Sequence, residues 1–594
     1  MARTSQPLRP RGSLRGSPTL RLRVGFVLIA MVLSVFGARL VQLQGIDPGS
    51  YAAMAAAEGM VNVVLPAERG NILDRNGEPL ADSIDGLMVV ADPYMTVDQA
   101  PEIAKFLAQR LNVDYFTTLQ RLRARTANGD YSRFQYIARR VPSTLASDVV
   151  TAAAKRGFEG IATRRDPVRD YPAADVAANL IGFLGTDEPL AGLERTFNKQ
   201  LAGRDGSARY EVGAGNVIPL GQNTVTDAVN GTDLHTTIDR DLQWYTQRVM
   251  RQTVEDAQAD SGVAVIMDSK TGELLALADY PTFDANAPLE SPKKDLGSRA
   301  MQDVYEPGSV EKVLTLSALI DAGKVTDRTK LRVPGSLSRQ DRVIHDWWAH
   351  GLIHLTLAGV VAQSSNIGTV LATDKFKPGQ LRSYLSKFGL GQKTNVGVRG
   401  ETSGLLPDPS QWTHQTQDRV AFGQSVSVNA VQMTAAINTI ANSGVRVSPS
   451  LIEGTATTAD GDVVGTDTTT TRRVVSEDAA HQMMLMMERV IDPEVGVAPG
   501  AAVPGYRVAG KTGTAQRVGA QCGCYDGTFT VSFAGFAPAD DPRFTIYVVV
   551  QNPRNGGGGG SVAGPAFAKM MSYALRRYAV PPTGTRPSRL PIVW

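Results

Sequence analysis

Two cysteines in 594 residues, Cys522 and Cys524, are too few to staple a scaffold, and with no second pair they cannot complete a zinc site. A bridge between them would close a short, strained ring, so the pair reads as ordinary loop residues. Histidine is nearly as scarce, at six. His350 and His354 could share a helix face near His345, but Gly351 interrupts the helix and Trp347-Trp348 points to packing, so no metal is expected. No G-x-S-x-G segment offers a histidine a nucleophile to serve, and no internal repeat is present. The body of the chain also lacks a positive excess. The first 23 residues hold six arginines (Arg3, Arg9, Arg11, Arg15, Arg21, Arg23) and no acid, which is more than the whole net charge of +3. A body that held nucleic acid would show a basic face, so that class of partner is not expected.

Long apolar runs are absent beyond one, from Val24 to Leu43. Its 20 or so residues suffice for a helix of roughly 30 Å, a membrane's apolar thickness. Arg39 must snorkel toward the outer interface. The arginines ahead of the run keep the N-terminus cytoplasmic and send the large C-terminal part outside. Phe36-Gly-Ala38 carries a bulky residue where a cleavage site wants a small one, so the run reads as an uncleaved anchor.

With 42% hydrophobic and 20% charged residues, the rest has the composition of a folded chain of several domains. Tyr51 to Gly59 reads as a helical continuation of the anchor. Val61 to Leu65 alternates like a strand, and Asn76-Gly77 marks a tight turn between β segments. Asp205 to Thr232 reads as loop. From Leu234 the pattern is α/β. Gly262 to Asp268 is a buried strand, Ser269 to Gly272 a turn, and Glu273 to Ala278 the returning strand. An apolar helix follows Ser309, with Gly323 as its C-cap glycine. Thr528 to Gly535 and Phe544 to Val550 read as neighbouring strands and Val562 to Tyr578 as a closing helix. Gly556 to Gly560 reads as a flexible loop and Pro581 to Trp594 as a Pro-rich tail.

Three short elements carry the chemistry, in order: Ser309-Val-Glu-Lys312, Ser364-Ser-Asn366 and Lys511-Thr-Gly-Thr514. A serine hydroxyl needs a base within reach, and Ser309 and Lys312, at i and i+3 of one helix, share a face. Pro307-Gly308 suits a helix start, where free N–H groups point at an anion. Lys312 can act as base only when neutral, and burial together with a second cation, Lys511, would lower its pKa. Each element has a decoy. Ser291-Pro-Lys-Lys294 lacks an apolar helix behind it, and Lys270-Thr-Gly272 lies in a turn ahead of the serine. Ser427-Val-Asn429 does follow Ser309, but Ser364 is preferred because Leu355 to Val361 gives it a helical run to end.

The order S-x-x-K, S-x-N, K-T-G resembles penicillin-binding proteins and their β-lactamase relatives. Further segments are similar to the class B penicillin-binding proteins: Arg69-Gly-Asn-Ile-Leu-Asp-Arg-Asn-Gly77, Gly192-Leu-Glu-Arg195, Thr237-Ile-Asp239, Tyr305-Glu-Pro-Gly-Ser309, Phe422-Gly-Gln424 and Gly559 to Phe567. The likeness is greatest to the division-specific FtsI type. It implies a mixed, strand-containing pedestal ahead of an α/β (α+β) transpeptidase domain of the penicillin-binding and serine β-lactamase kind. The boundaries expected are 1–23 for a basic arm, 24–43 for the anchor, 44–235 for the pedestal, 236–580 for the catalytic domain and 581–594 for the tail. The resemblance further implies peptidoglycan stem peptides as substrate, β-lactams as covalent inhibitors, no cofactor, and partnership with a SEDS-type glycosyltransferase and other division proteins. Ser309 would be the nucleophile, Lys312 its base, Ser364 a proton relay and Asn366 a holder of Lys312 and the substrate amide. Lys511, Thr512, Gly513 and Thr514 would form the substrate-binding strand. Glu311 departs from the family, which has an apolar or aromatic residue there, and either alters the packing beside Lys312 or tunes it by an added charge. Arg69, Asp74, Arg75 and Glu194 read as ion-pair scaffolding. An elongation-type transpeptidase, a β-lactamase or β-lactam sensor, and an inactive division scaffold are the alternatives.

Overall fold

The structure is a computed structural model that describes residues 18–42, 60–185, 188–213, 216–217, 223–340, 342–377, 379–519 and 523–594. The chain divides into two compact units, Met1–Pro66 with Asp205–Ala228, and Ala67–Arg204 with Val229–Trp594.

In the first unit the helix Pro18–Val41 has a mean hydropathy of 2.3 over its apolar window and buries none of its residues. Arg39 lies in its last turn and donates to Gln42 Oε1 at 2.7 Å. The helical continuation expected over Tyr51–Gly59 lies outside the described residues. Part of the stretch read as loop is strand instead. Gly206–Gly213 pairs antiparallel with Met60–Leu65 and with Thr224–Thr226, Ala208 facing both Val63 and Val225. Its few apolar residues hid that pairing from a pattern search.

The second unit is built on a five-stranded antiparallel sheet. Its strands are β1 (Ser261–Asp268), β2 (Leu274–Tyr280), β3 (Ala509–Val518), β4 (Tyr525–Ala537) and β5 (Phe544–Gln551), in the order β2-β1-β5-β4-β3. β1 and β5 are buried almost throughout, which is why they read as unbroken apolar runs and not as alternation. Helices α1 (Arg240–Asp256) and α7 (Gly559–Arg577) pack on one face. α5 (Ala430–Ala441) packs on the other, beside α2 (Glu311–Asp321) and α6 (Glu477–Ile491). Lys270-Thr-Gly272 sits in the β1–β2 turn, as expected of a decoy.

Two more layers share this unit. Ile72–Leu73, Pro79–Ile84, Val168–Asp170 and Leu234–His235 form a small sheet whose apolar side joins the main core. Gly86–Ala91, Gln135–Pro142 and Ile161–Arg165 form another, covered by the helices Ala100–Leu111 and Ser143–Lys155 around a core of its own. Glu194 is fully buried and bridges Arg69 and Arg169, each at 2.6 Å, while Arg75 faces Glu273 at 3.4 Å. Asp74 departs from the ion-pair expectation. Its carboxylate accepts the N–H groups of Asn76, Glu78 and Arg240 and so shapes the Asn76-Gly77 turn. The Pro-rich tail is also ordered by contact: Thr356 N–H donates to Ile592 O at 3.0 Å, and the Trp594 indole donates to Leu331 O and Leu355 O. Cys524 is disulfide-bonded, and Cys522 lies outside the described residues.

Candidate active site

The chain reaches Ser309 through Tyr305-Glu-Pro-Gly. Gly308 has φ +55°, a conformation open to glycine, and its N–H donates to Gly423 O at 3.0 Å. Gly423 has φ +86°, and a Cβ there would collide with the Gly308 carbonyl. The two backbones touch because Gly423 has no side chain, while a Cβ on Gly308 would press on the Thr514 carbonyl of β3. Ser309 occupies a 3₁₀ turn, Gly308–Val310, and α2 begins only at Glu311. The i, i+3 relation to Lys312 therefore spans a 3₁₀-to-α junction and not one helix, though the backbone stays helical through it. Gly323 follows α2 with φ +65°, as a terminating glycine should.

Lys312 is fully buried, and its ammonium donates to Ser364 O at 2.7 Å and Ser364 Oγ at 3.3 Å. Lys511 on β3 is fully buried too. It donates to Ser364 Oγ at 2.8 Å, Thr512 O at 3.1 Å and Thr512 Oγ1 at 3.2 Å. Ser364 thus joins the two amines. It follows the short helix α3 (Leu357–Ala362), preceded by a strand and so shorter than the helical run expected, and it holds φ +60°. Among the described residues Ser309 Oγ accepts and donates no hydrogen bond.

Burial lowers the pKa of Lys312 to about 7, with Asp346 pulling the other way. It drives Lys511 well below its usual value, and the neighbouring Lys312 charge pushes in the same direction. Two amines in one dry site cannot both be charged cheaply. The cation effect expected on Lys312 thus falls on Lys511.

Asn366 opens helix α4 (Asn366–Thr373) and donates to His345 O at 3.0 Å. It lines the cleft, but its amide is not bonded to Lys312. Beneath it lies a residue that motif reading missed. Asp346 accepts from Ser365 Oγ at 2.7 Å, from Ile367 N at 3.0 Å and from the His350 Nε2–H at 3.0 Å. His350 thus serves this carboxylate, and His354 packs on Trp594. No cluster of three or more metal-binding side chains occurs among the described residues. A lone aspartate in a loop carries no motif signal, which is why Asp346 went unread.

The cleft has a volume of about 480 Å³. Ser309, Ser364 and Asn366 line one part and Thr512 and Thr514 another, with Trp347, Phe422 and Gln424 around them. Gly558, Gly559, Gly560 and Ser561 complete the wall. Part of the run read as flexible loop is therefore the start of α7, whose 19 residues aim a positive dipole end at the cleft. Gly513 faces the other way, close to Ser532 and Pro307, where a Cβ would not fit. The decoy Ser427-Val-Asn429 has a structural job: Asn429 caps α5 in a capping box with Gln432.

Glu311 is fully buried and neither carboxylate oxygen has a hydrogen-bond partner. Burial alone pushes its pKa well up. A charge on Glu311 would bear on Tyr547, whereas burial and Asp346 set the shift of Lys312, so the charge-tuning role considered for it is not what the geometry gives.

Residues 262–572 match the family described as Penicillin binding protein transpeptidase domain, and residues 64–189 match Penicillin-binding Protein dimerisation domain. The chain is 36% identical to Penicillin-binding protein PbpB of Mycolicibacterium smegmatis over 608 residues, covering 96% of this chain and 92% of that one. It is 33% identical to Peptidoglycan D,D-transpeptidase FtsI of Escherichia coli K12 over 573 residues, covering 94% and 92%. Among solved structures, Penicillin binding protein 3 of Mycobacterium tuberculosis complexed with aztreonam superposes with a TM-score of 0.68 at 32% identity, covering 90% of this chain and 100% of that one.

Proposed function

The chain belongs to the class B penicillin-binding proteins of the FtsI type, and from that premise we propose that Ser309, Lys312, Ser364 and Asn366 are its catalytic residues and Lys511, Thr512, Gly513 and Thr514 its substrate-binding strand. The protein is a serine-type peptidoglycan D,D-transpeptidase of septal cell-wall synthesis, inhibited by β-lactams. One observation supports the residue roles above all others: two buried amines converge on Ser364 Oγ, beside a serine whose own hydroxyl is uncommitted.

Ser309 Oγ adds to the carbonyl of the penultimate D-Ala, and its proton passes to neutral Lys312. A pKa of about 7 keeps a substantial share of that amine neutral at neutral pH. The substrate carboxylate lies against Lys511, Thr512 and Thr514, with the α7 N-terminus behind it. Its charge holds a proton on Lys511 and so leaves Lys312 as the base. Backbone N–H groups of Ser309 and Thr514 receive the oxyanion. As the C–N bond breaks, Ser364 relays a proton to the leaving D-Ala amine. An acceptor amine then replaces Ser309 Oγ at the carbonyl, which completes the cross-link.

The protein is anchored in the membrane by one helix. We place residues 1–23 in the cytoplasm, 24–43 in the membrane, and a pedestal (44–235), transpeptidase domain (236–580) and tail (581–594) outside. The arginine-rich start supports this orientation. A SEDS-type glycosyltransferase and other division proteins are the proposed membrane partners, met through anchor and pedestal.

The test supplies uncross-linked peptidoglycan strands to the full chain in detergent, followed by muramidase digestion. Cross-linked muropeptides should form, and should vanish with Ser309→Ala or with a β-lactam. Hydrolysed stems without cross-links would overturn the transferase reading.

A further inference from the structure

A transpeptidase must seat two substrates, and the cleft above accounts for one. A second, larger cavity of about 840 Å³ lies at the other end of the same motif segments. Tyr305 and Glu306 line it, four and three residues before the nucleophile. So does Ser425, next to the cleft residue Gln424. Thr514 in the cleft and Gln516 in the cavity are i and i+2 on β3, so they share a face about 7 Å apart. One strand thus contributes to both hollows.

Three acids and three bases line this cavity, and Glu306 and the exposed Lys294 are the two outside its salt bridges among the described residues. Arg517 is paired with Asp260 at 3.2 Å and Arg299 with Asp303 at 3.7 Å. Glu306 has no cationic partner within salt-bridge distance among the described residues. Its carboxylate accepts only neutral donors, Ser425 N–H at 2.8 Å and the Tyr525 hydroxyl at 3.0 Å. Half-buried, it is held on the catalytic segment and faces a space large enough for a peptide end. Leu405, Val304 and Val518 leave apolar surface exposed along the same cavity, suited to an alkyl chain.

We propose that this cavity is the acceptor site, in which Glu306 receives the cationic amine of the incoming stem peptide and delivers it to the Ser309 ester. The inference rests on the transpeptidase reading and says where the second substrate enters. The amine arrives as an ammonium, is drawn to the carboxylate, and releases one proton to water. Its nitrogen then forms the C–N bond as the ester C–O bond breaks, and the second proton goes to Ser309 Oγ. Glu306 is a positioning residue, since the bond changes occur at Ser309. Burial raises its proton affinity, while its two hydrogen bonds and the more distant Arg419 charge pull the other way.

The test uses the full chain in detergent, a D-Ala-D-Ala thioester analogue as donor, and two acceptors. One is a short peptide with a free side-chain ammonium and the other is hydroxylamine, neutral at pH 7. Glu306→Gln keeps an oxygen for Ser425 N–H and removes the charge. With the peptide, the acceptor KM should rise about tenfold and product should shift from amide to free acid, as loss of one charge-assisted contact implies. With hydroxylamine the partition should stay as in the wild type. Gln516→Lys, which tethers a competing ammonium at the cavity, should give the same pattern and decides the matter if the first variant is unstable. An unchanged peptide KM in both variants, or an equal loss with hydroxylamine, would overturn the proposal. A wild-type chain that is acylated yet transfers to neither amine would instead overturn the transpeptidase reading itself.

Discussion

Glu311→Gln should stabilise the protein increasingly as pH rises. The Glu311 carboxyl is fully buried with both oxygens unpartnered, and an ionised carboxylate in such a place costs several kcal/mol or more, so the fold keeps it protonated. Below about pH 4.5 folded and unfolded chains both hold the proton, and the two proteins differ by a constant amount. Above it the unfolded chain releases a proton that the fold retains. Wild-type stability relative to the amide then falls by about 1.4 kcal/mol per pH unit until the folded group titrates. Lys312 acts in the opposite sense between about pH 7 and 10.5, where the fold has already released a proton that the unfolded chain keeps, but it is common to both proteins. Thermal unfolding of the detergent-solubilised chain at a series of pH values would show the two melting curves diverging as pH rises above about 4.5. Curves that run parallel would mean that Glu311 titrates as it does in the unfolded chain, and the argument from burial would fail.

Acylation by a β-lactam should rise with pH through about pH 7 as Lys312 loses its proton, and Asp346→Asn should move that limb to lower pH by removing the charge that favours the ammonium; stopped-flow acylation rates read both. Gly423→Ala would push the Gly308 backbone aside, and a displacement of this kind should slow acylation by about 100-fold while the chain still folds. Deleting residues 588–594 removes the Ile592 and Trp594 contacts to the strand before α3, so the melting temperature should fall and Ser364 should lose its fixed place, which slowed acylation would report.

The proposed catalytic cleft was legible as a meeting of residues because the chemistry expected of it needs particular residue types in short segments. Ser309, Lys312, Ser364, Lys511 and the apolar strands β1 and β5 all announce themselves locally. Glu194 was legible as scaffolding for a similar reason, since a buried carboxylate must be paired and Arg69 lay in a matching segment. Asp346 was not legible, because its role depends on three partners that lie from 4 to 21 residues away and meet only in the fold. The glycines at 558–560 read as flexibility because composition does not say that a helix begins among them. The strand Gly206–Gly213 escaped notice because its pairing partner, Met60–Leu65, lies about 150 residues earlier.

The central claim is that Ser309 carries the acyl group. Intact-mass analysis of the full chain incubated with a β-lactam, with peptide mapping of the adduct, tests it most directly. One long-lived adduct is expected on the peptide containing Ser309, absent from a folded Ser309→Ala variant. An adduct that persists in that variant, or maps to another serine, would contradict it.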